Sequence, residues 1–193
     1  LRDEPTDWLS KFGGSAWGPF GDTGKYYLHL YDVTQADLNW RNPNVRQELF
    51  KVVNFWRDKG VKGFRFDVIN VIGKDEVLTD CSEQEGKPAY TDKPIVHDYL
   101  RMMNEATFGQ DDSVMTVGEM SATTIENCIL YTAPDRQELS MAFNFHHLKV
   151  DYEAGQKWTL KAFDFEELKR LFHTWGKEMS NHEGWSALFW NNH

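Results

Sequence analysis

The chain has 193 residues, 40% hydrophobic and 15% aromatic, which is enough apolar mass for a packed core and the length of one ordinary domain or of a piece of a larger barrel. Its 30 acidic against 21 basic residues leave a formal charge of −9, which repels a nucleic-acid backbone, and no run stays apolar over the roughly 18 residues of a membrane span. Neither nucleic acid nor membrane is therefore expected as a partner. The start “LRDEPTDWLSKF” has no apolar signal core, and Cys81 and Cys128 lie too far apart for a metal knuckle or a disulfide framework. Both read as reduced thiols of a cytoplasmic protein.

Residues 1–40 are loop-rich. The stretch “KFGGSAWGPFGDTGKYY” holds five glycines and a proline among aromatics, and the alternating run “YYLHLYDV” allows one small strand pair. A helix is predicted at “NPNVRQELFKVVNFWRDKG”: Asn42 is placed to cap it, Pro43 to open it and Gly60 to stop it. Val45, Leu49, Val52, Val53 and Trp56 recur at helical spacing between them.

From residue 61 the pattern alternates. Strand-like segments at 61–69, “SVMTVGEM”, “ELSMAFNF” and “WSALFWNNH” are separated by helical patterns near 93–108, 123–132 and 165–178. The first of these helices takes Asp92 as cap and turns Ile95, Tyr99, Met102, Met103 and Ala106 inward. The last has Asp164 and Glu167 as a capping-box variant. Four strands joined by helices imply an α/β fold with parallel pairing, and near-continuous apolar runs imply cover on both faces.

Each strand-like segment ends in polar residues: Arg65 and Asp67, then Glu119, then Asn144 with His146 and His147, then Asn191, Asn192 and His193. In parallel α/β sheets functional groups collect beyond the carboxyl ends of the strands. Alternation along a strand puts Arg65 and Asp67 on one face, and Phe64, Phe66 and Val68 on the other. Two carboxyl groups at neighbouring strand ends cannot both ionise freely, so one remains a base or nucleophile while the other keeps its proton near neutral pH. Retaining glycosidases divide labour in this way with carboxyl groups about 5–5.5 Å apart. Arg65 is expected to keep Asp67 ionised and leave the raised pKa on Glu119.

The competing reading of Arg65 and Asp67 is an ion pair that only satisfies itself. Adjacent His146 and His147 point to opposite sides and are not expected to share a metal. Trp56 and Trp175 read as helix-packing groups. Trp8 and Trp17, in the glycine-rich loop, are weighed as sugar-stacking platforms against core packing.

“GFRFDVIN”, “VGEM” and “WNNH”, in this order and over almost the whole chain, resemble three signature segments of glycoside hydrolase family 13, the α-amylase and α-glucosidase family. The resemblance implies a (β/α)8 barrel with Asp67 as nucleophile, Glu119 as general acid/base, and Arg65, Asn192 and His193 as substrate contacts. It also implies a central piece of that barrel. Residues 1–40 would be the tail of an inserted subdomain and 41–193 would carry strands four to seven with their helices.

The family's third catalytic aspartate would follow His193 and its first signature would precede Leu1, so the chain alone is expected to be inactive. No cofactor is implied for this segment; the calcium some relatives bind would sit in an early barrel loop outside it. “WLSKFGGSAW”, “YYLHLYDVTQADLNW”, “MTVGEMS”, “FNFHHLKVDY” and “GQKWTL” resemble the subgroup acting on trehalose 6-phosphate, which implies a phosphorylated disaccharide as substrate.

Lys149 and Lys157, in the loop after “FNFHH”, are then expected at the phosphate, with His146 beside the substrate. Ordinary solvated lysines are the alternative. An oligo-1,6-glucosidase type acting on unphosphorylated sugars also stays open. So does a non-catalytic binding protein on the same fold, against which the presence of both carboxyl groups counts.

Overall fold

The computed structural model describes residues 4–81 and 87–190. In the glycine-rich start, β1 (Trp17–Pro19) and β2 (Tyr26–Leu28) form one antiparallel pair, as expected. Helix α1 (Pro43–Asp58) begins at Asn42, whose side chain accepts a hydrogen bond from the Asn44 N–H. Gly60, at φ 92°, turns the chain out of the helix.

The central sheet follows. Strands β3 (Gly63–Phe66), β4 (Met115–Glu119) and β5 (Met141–Phe143) lie side by side in chain order and pair in parallel. Arg65 lies opposite Val117, and Glu119 opposite Phe143. The crossovers carry α2 (Lys87–Tyr90) and α3 (Pro94–Ala106) between β3 and β4, and α4 (Ile125–Thr132) between β4 and β5. Helix α5 (Phe165–Asn181) follows β5 and is capped by Asp164, which accepts from the Glu167 N–H. Among the described residues no helix is long and apolar enough to cross a membrane.

Among the described residues, the fourth expected strand is reduced to one residue. Ser186 bridges Ala142 in parallel, with the Ala142 N–H donating to Trp185 at 3.1 Å and the Ala187 N–H donating to Ala142 at 2.8 Å. A three-residue β5 offers an outer neighbour little more than this.

All four long helices pack on one face of the sheet. Val53 of α1, Val96, Leu100 and Met103 of α3, Cys128 and Tyr131 of α4, and Trp175 and Met179 of α5 join Ala142 in one buried cluster, with Phe64 and Phe66 against it. Gly118 is what lets β4 sit this close. A Cβ there would lie 2.6 Å from Met120 Cε and 2.7 Å from Leu139 Cδ1. The other face, for which cover was also expected, carries Arg65 and the buried Glu119 and no helix among the described residues.

Two further expectations change. Helix α3 starts one residue later than read, with Lys93 at its cap and Pro94 in its first turn, and its buried side is Val96, His97, Tyr99, Leu100 and Met103. Met102 and Ala106 face outward. Hydrophobic spacing misassigned the face because a polar residue, His97, is inside it. Trp56 is 49% exposed and meets Phe55 edge-on at 5.2 Å, whereas Trp175 belongs to the core.

What draws His97 inward is Glu138, just before β5, whose side chain is 0% exposed. Its carboxylate takes His97 Nδ1 at 2.7 Å, and Arg101 and Arg136 each at 3.1 Å. The ring of His97 stacks on Tyr131 with centroids 4.5 Å apart. A second buried pair ties the first forty residues to the sheet: Lys74 donates to both Asp37 oxygens at 2.8 and 2.7 Å and to the Val71 carbonyl at 2.8 Å.

Candidate active site

Chain reversal at the end of β3 builds the site. Asp67 follows the last strand residue, and Val68 then adopts φ 42°, ψ 42°, a left-handed conformation strained for a β-branched side chain. The turn sends Ile69–Val71 into a short 3₁₀ helix and aims the Val68 N–H at Glu119, to which it donates. Glu119 is the last residue of β4, so both carboxyl groups lie at the carboxyl end of neighbouring parallel strands.

Arg65 stands between them. One guanidinium nitrogen donates to Asp67 at 2.6 Å and another donates to Glu119 in a short contact. Its guanidinium also lies 5.6 Å from the centre of the Phe143 ring, on the strand beyond. Asp67 lies near enough to Glu119 to raise its pKa by hydrogen bonding and by charge, and Arg65 donates to both.

Their surroundings differ: the Asp67 side chain is 66% exposed and that of Glu119 10%. Burial is the main reason that the Glu119 pKa rises to about 7, with the hydrogen bond and charge of Asp67 adding to it. Arg65 and the Val68 N–H pull the other way. A raised Glu119 was expected, but from Arg65 favouring Asp67; in the structure burial leads.

Tyr31 approaches from the first forty residues. Its hydroxyl is buried and unpaired among the described residues. Burial, then the charges of Tyr90, Glu119 and Asp67, push its pKa up. Beside the pair, Ser121, Phe145, His146, Lys149, Lys157 and Trp158 line an open cleft of about 590 Å³. Lys157 lies over the Trp158 ring at 4.8 Å. His146 stacks on Trp175 at 5.1 Å, and its Nε2 lies 2.9 Å from the Thr123 carbonyl oxygen, so its ring is fixed against α5.

His147 turns the other way, into Phe172 and Phe189. Among the described residues no three His, Cys, Asp or Glu side chains gather as metal ligands. A larger cleft of about 830 Å³, between Asp98, Arg101, Glu105, Asp111, Asp112 and Glu138, lies at the starts of β4 and β5 and contains none of the expected site residues.

Arg65, Asp67 and Glu119 are therefore brought together, and Lys149, Lys157 and His146 share one cleft. Asn192 and His193 lie outside the described residues. Trp8 and Trp17 are not sugar platforms. They are buried against each other with centroids 6.3 Å apart, and their indole N–H groups donate to Thr79 and Thr6 at 2.9 Å. A buried indole that has found its acceptor is a core group.

The sequence reading passed over Asn70, although a polar residue closing the apolar run “DVIN” is the sort of signal that marks a buried polar partner. It also took Asp92 for a helix cap. The Asp92 carboxylate instead accepts from Asn70, Asn127 and Tyr131.

Residues 2–193 match the family profile described as “Alpha amylase, catalytic domain”. The chain is 55% identical to the trehalose-6-phosphate hydrolase of Bacillus subtilis (strain 168) over 98% of its own length and 34% of that protein. It is 44% identical to the oligo-1,6-glucosidase of Parageobacillus thermoglucosidasius, again over 98% of its length and 34% of the relative. Among solved structures it superposes on Bacillus licheniformis trehalose-6-phosphate hydrolase (TreA) with a TM-score of 0.93 and 55% identity, covering 97% of this chain and 34% of that one. The chain thus spans about a third of the length of the relatives it matches.

Proposed function

Since this chain belongs to the α-amylase catalytic-domain family, we propose that it is the central part of a cytoplasmic, retaining α-glucosidase that hydrolyses trehalose 6-phosphate to glucose and glucose 6-phosphate. In this reading residues 1–40 are the tail of an inserted subdomain, and 41–193 supply strands four to seven of a (β/α)8 barrel. The single observation behind the chemistry is the pair of carboxyl groups bridged by Arg65, one exposed and one buried. Support for the substrate comes from the higher identity to the Bacillus subtilis hydrolase than to the oligo-1,6-glucosidase.

Glu119, which holds its proton up to about pH 7, donates it to the glycosidic oxygen as that bond breaks. Asp67 attacks the anomeric carbon and forms a glycosyl ester. Glu119, now a carboxylate, takes a proton from water, whose oxygen displaces Asp67 and restores the original anomeric configuration. Two displacements need the Asp67 and Glu119 carboxyl groups about 5–5.5 Å apart around a sugar. Arg65, bonded to both, keeps a hold on each. Only side chains act in these steps, and a calcium ion, if the whole protein binds one, belongs to an early barrel loop in this reading.

The cleft of Ser121, His146, Lys149 and Lys157 is the proposed seat of the 6-phosphate. A phosphate near −2 gains charge-assisted hydrogen bonds from an ammonium, each worth about 1.5–3 kcal/mol when partly desolvated. Lys149→Ala should therefore raise KM for trehalose 6-phosphate by about 10- to 100-fold and leave turnover of an unphosphorylated aryl α-glucoside unchanged. Equal damage to both substrates would make the lysine a support for its loop. Faster turnover of isomaltose than of trehalose 6-phosphate by the unmodified enzyme would favour the 1,6-glucosidase reading.

A further inference from the structure

Asn70 is 0% exposed and lies three residues beyond Asp67. Its amide does the work of a strand after the strand has ended. The β3–β4 ladder runs to Phe66 opposite Gly118, and Val68 then turns the chain away. Past that turn, Asn70 Oδ1 accepts from the Ser121 N–H at 2.9 Å and Nδ2 donates to the Ser121 carbonyl at 2.8 Å. Two antiparallel bonds thus join a side chain to the backbone two residues after Glu119.

The same Nδ2 donates to Asp92 Oδ1 at 2.8 Å, and the Asn70 carbonyl accepts from the Asp92 N–H at 3.0 Å. Asp92 is itself held by the Tyr131 hydroxyl and Asn127 Nδ2, each at 3.0 Å, so the brace reaches α4. On the outer side, Lys11 donates to the Ser121 hydroxyl at 2.8 Å. The groups that act on Glu119 are Asp67, Arg65 and the Val68 N–H, and Tyr31 lies near enough to feel the Glu119 charge. Asn70 acts on Glu119 only through Ser121.

We propose that Asn70, braced by Asp92, is a positioning residue that sets Glu119 against Asp67 and Arg65 by pinning the backbone of Ser121. The proposal rests on the reading of Glu119 as the acid/base. Its energetic basis is that a buried amide with its donors and acceptor satisfied has one low-energy orientation, whereas a site displaced by about 1 Å loses on the order of 10²-fold in rate.

The test compares Asn70→Ala and Asp92→Asn in the full-length enzyme, reading kcat and KM for an aryl α-glucoside, the thermal midpoint, and the ¹³C titration of the Glu119 carboxyl group. Asn70→Ala should lower kcat about 10- to 100-fold with KM within threefold, and move the Glu119 titration down from near 7 toward its ordinary range. Asp92→Asn, which keeps the size but withdraws the charge from the brace, should do the same to a smaller degree and covers the case in which Asn70→Ala does not fold. A lowered thermal midpoint with kcat and the Glu119 titration unmoved would reduce Asn70 to a core residue and overturn the proposal. If Asn70→Ala shifts the titration while Glu119→Gln leaves activity intact, the positioning holds and the acid/base reading is the one that fails.

Discussion

Asp67→Asn should abolish turnover, and Glu119→Gln should lower it by about 10²–10⁴-fold on trehalose 6-phosphate. An amide at position 67 cannot form the glycosyl ester, so the first displacement has no nucleophile. An amide at position 119 is nearly isosteric but carries no transferable proton, so its effect should shrink on an aryl α-glucoside whose leaving group departs unprotonated. Azide, which needs no base, should then restore part of the second step in Glu119→Gln as α-glucosyl azide.

The unmodified enzyme should lose kcat/KM as pH rises through about 7, because Glu119 must be protonated to act as acid. The same raised pKa favours the folded state below the ordinary range near 4.5, and that stabilisation is lost as pH climbs from there to about 7. Steady-state rates on both substrates across pH 5–9 read the first effect, and urea unfolding across pH 4–8 reads the second. Turnover by Asp67→Asn within tenfold of the unmodified enzyme would end the retaining mechanism.

Glu138→Ala should destabilise the fold by about 3–5 kcal/mol, the usual penalty for removing one member of a buried ionic cluster. Three nitrogen donors, from His97, Arg101 and Arg136, converge on a side chain that water does not reach. Truncation leaves two guanidinium groups directed at a void. It also frees His97 from Glu138 while its ring stays stacked on Tyr131, whose hydroxyl bonds Asp92. Glu138→Gln keeps the shape and should cost less, about 1–3 kcal/mol, as an imperfectly satisfied neutral partner. Urea unfolding of the three proteins measures the order; equal midpoints for Glu138→Ala and the unmodified chain would show that the cluster contributes nothing. Glu138 precedes β5, at the far end of the sheet from Asp67 and Glu119, so KM in the surviving folded fraction should not change.

What could be read from the sequence was whatever a local pattern carries. The Asn42 and Asp164 caps, the parallel order of β3, β4 and β5, and the convergence of Arg65, Asp67 and Glu119 followed from capping chemistry, from helices alternating with strands, and from polar residues at strand ends. What failed depended on partners distant in sequence. The buried face of α3 was misjudged because Glu138, 41 residues from His97, determines where that histidine goes. Asp92 looked like a cap because its true partners, Asn70, Asn127 and Tyr131, come from two other segments. Trp8 and Trp17 sit in a glycine-rich stretch that looks open until Thr79 and Tyr90 close over Trp8. That one guanidinium, Arg65, reaches both Asp67 and Glu119 could not be anticipated from either strand alone.

The contact of Lys11 with Ser121 spans 110 residues, and that of Lys74 with Asp37 spans 37. The sheet strands, by contrast, neighbour one another in the order in which a ribosome makes them. Each new βα unit can therefore be added to an edge already present, without waiting for anything downstream. The first forty residues have no such freedom: made before β3, they cannot reach their final anchor until Ser121 has left the exit tunnel. The part of the chain that brings Tyr31 to the carboxyl pair is thus synthesised before the sheet and seated only after β4 has been made.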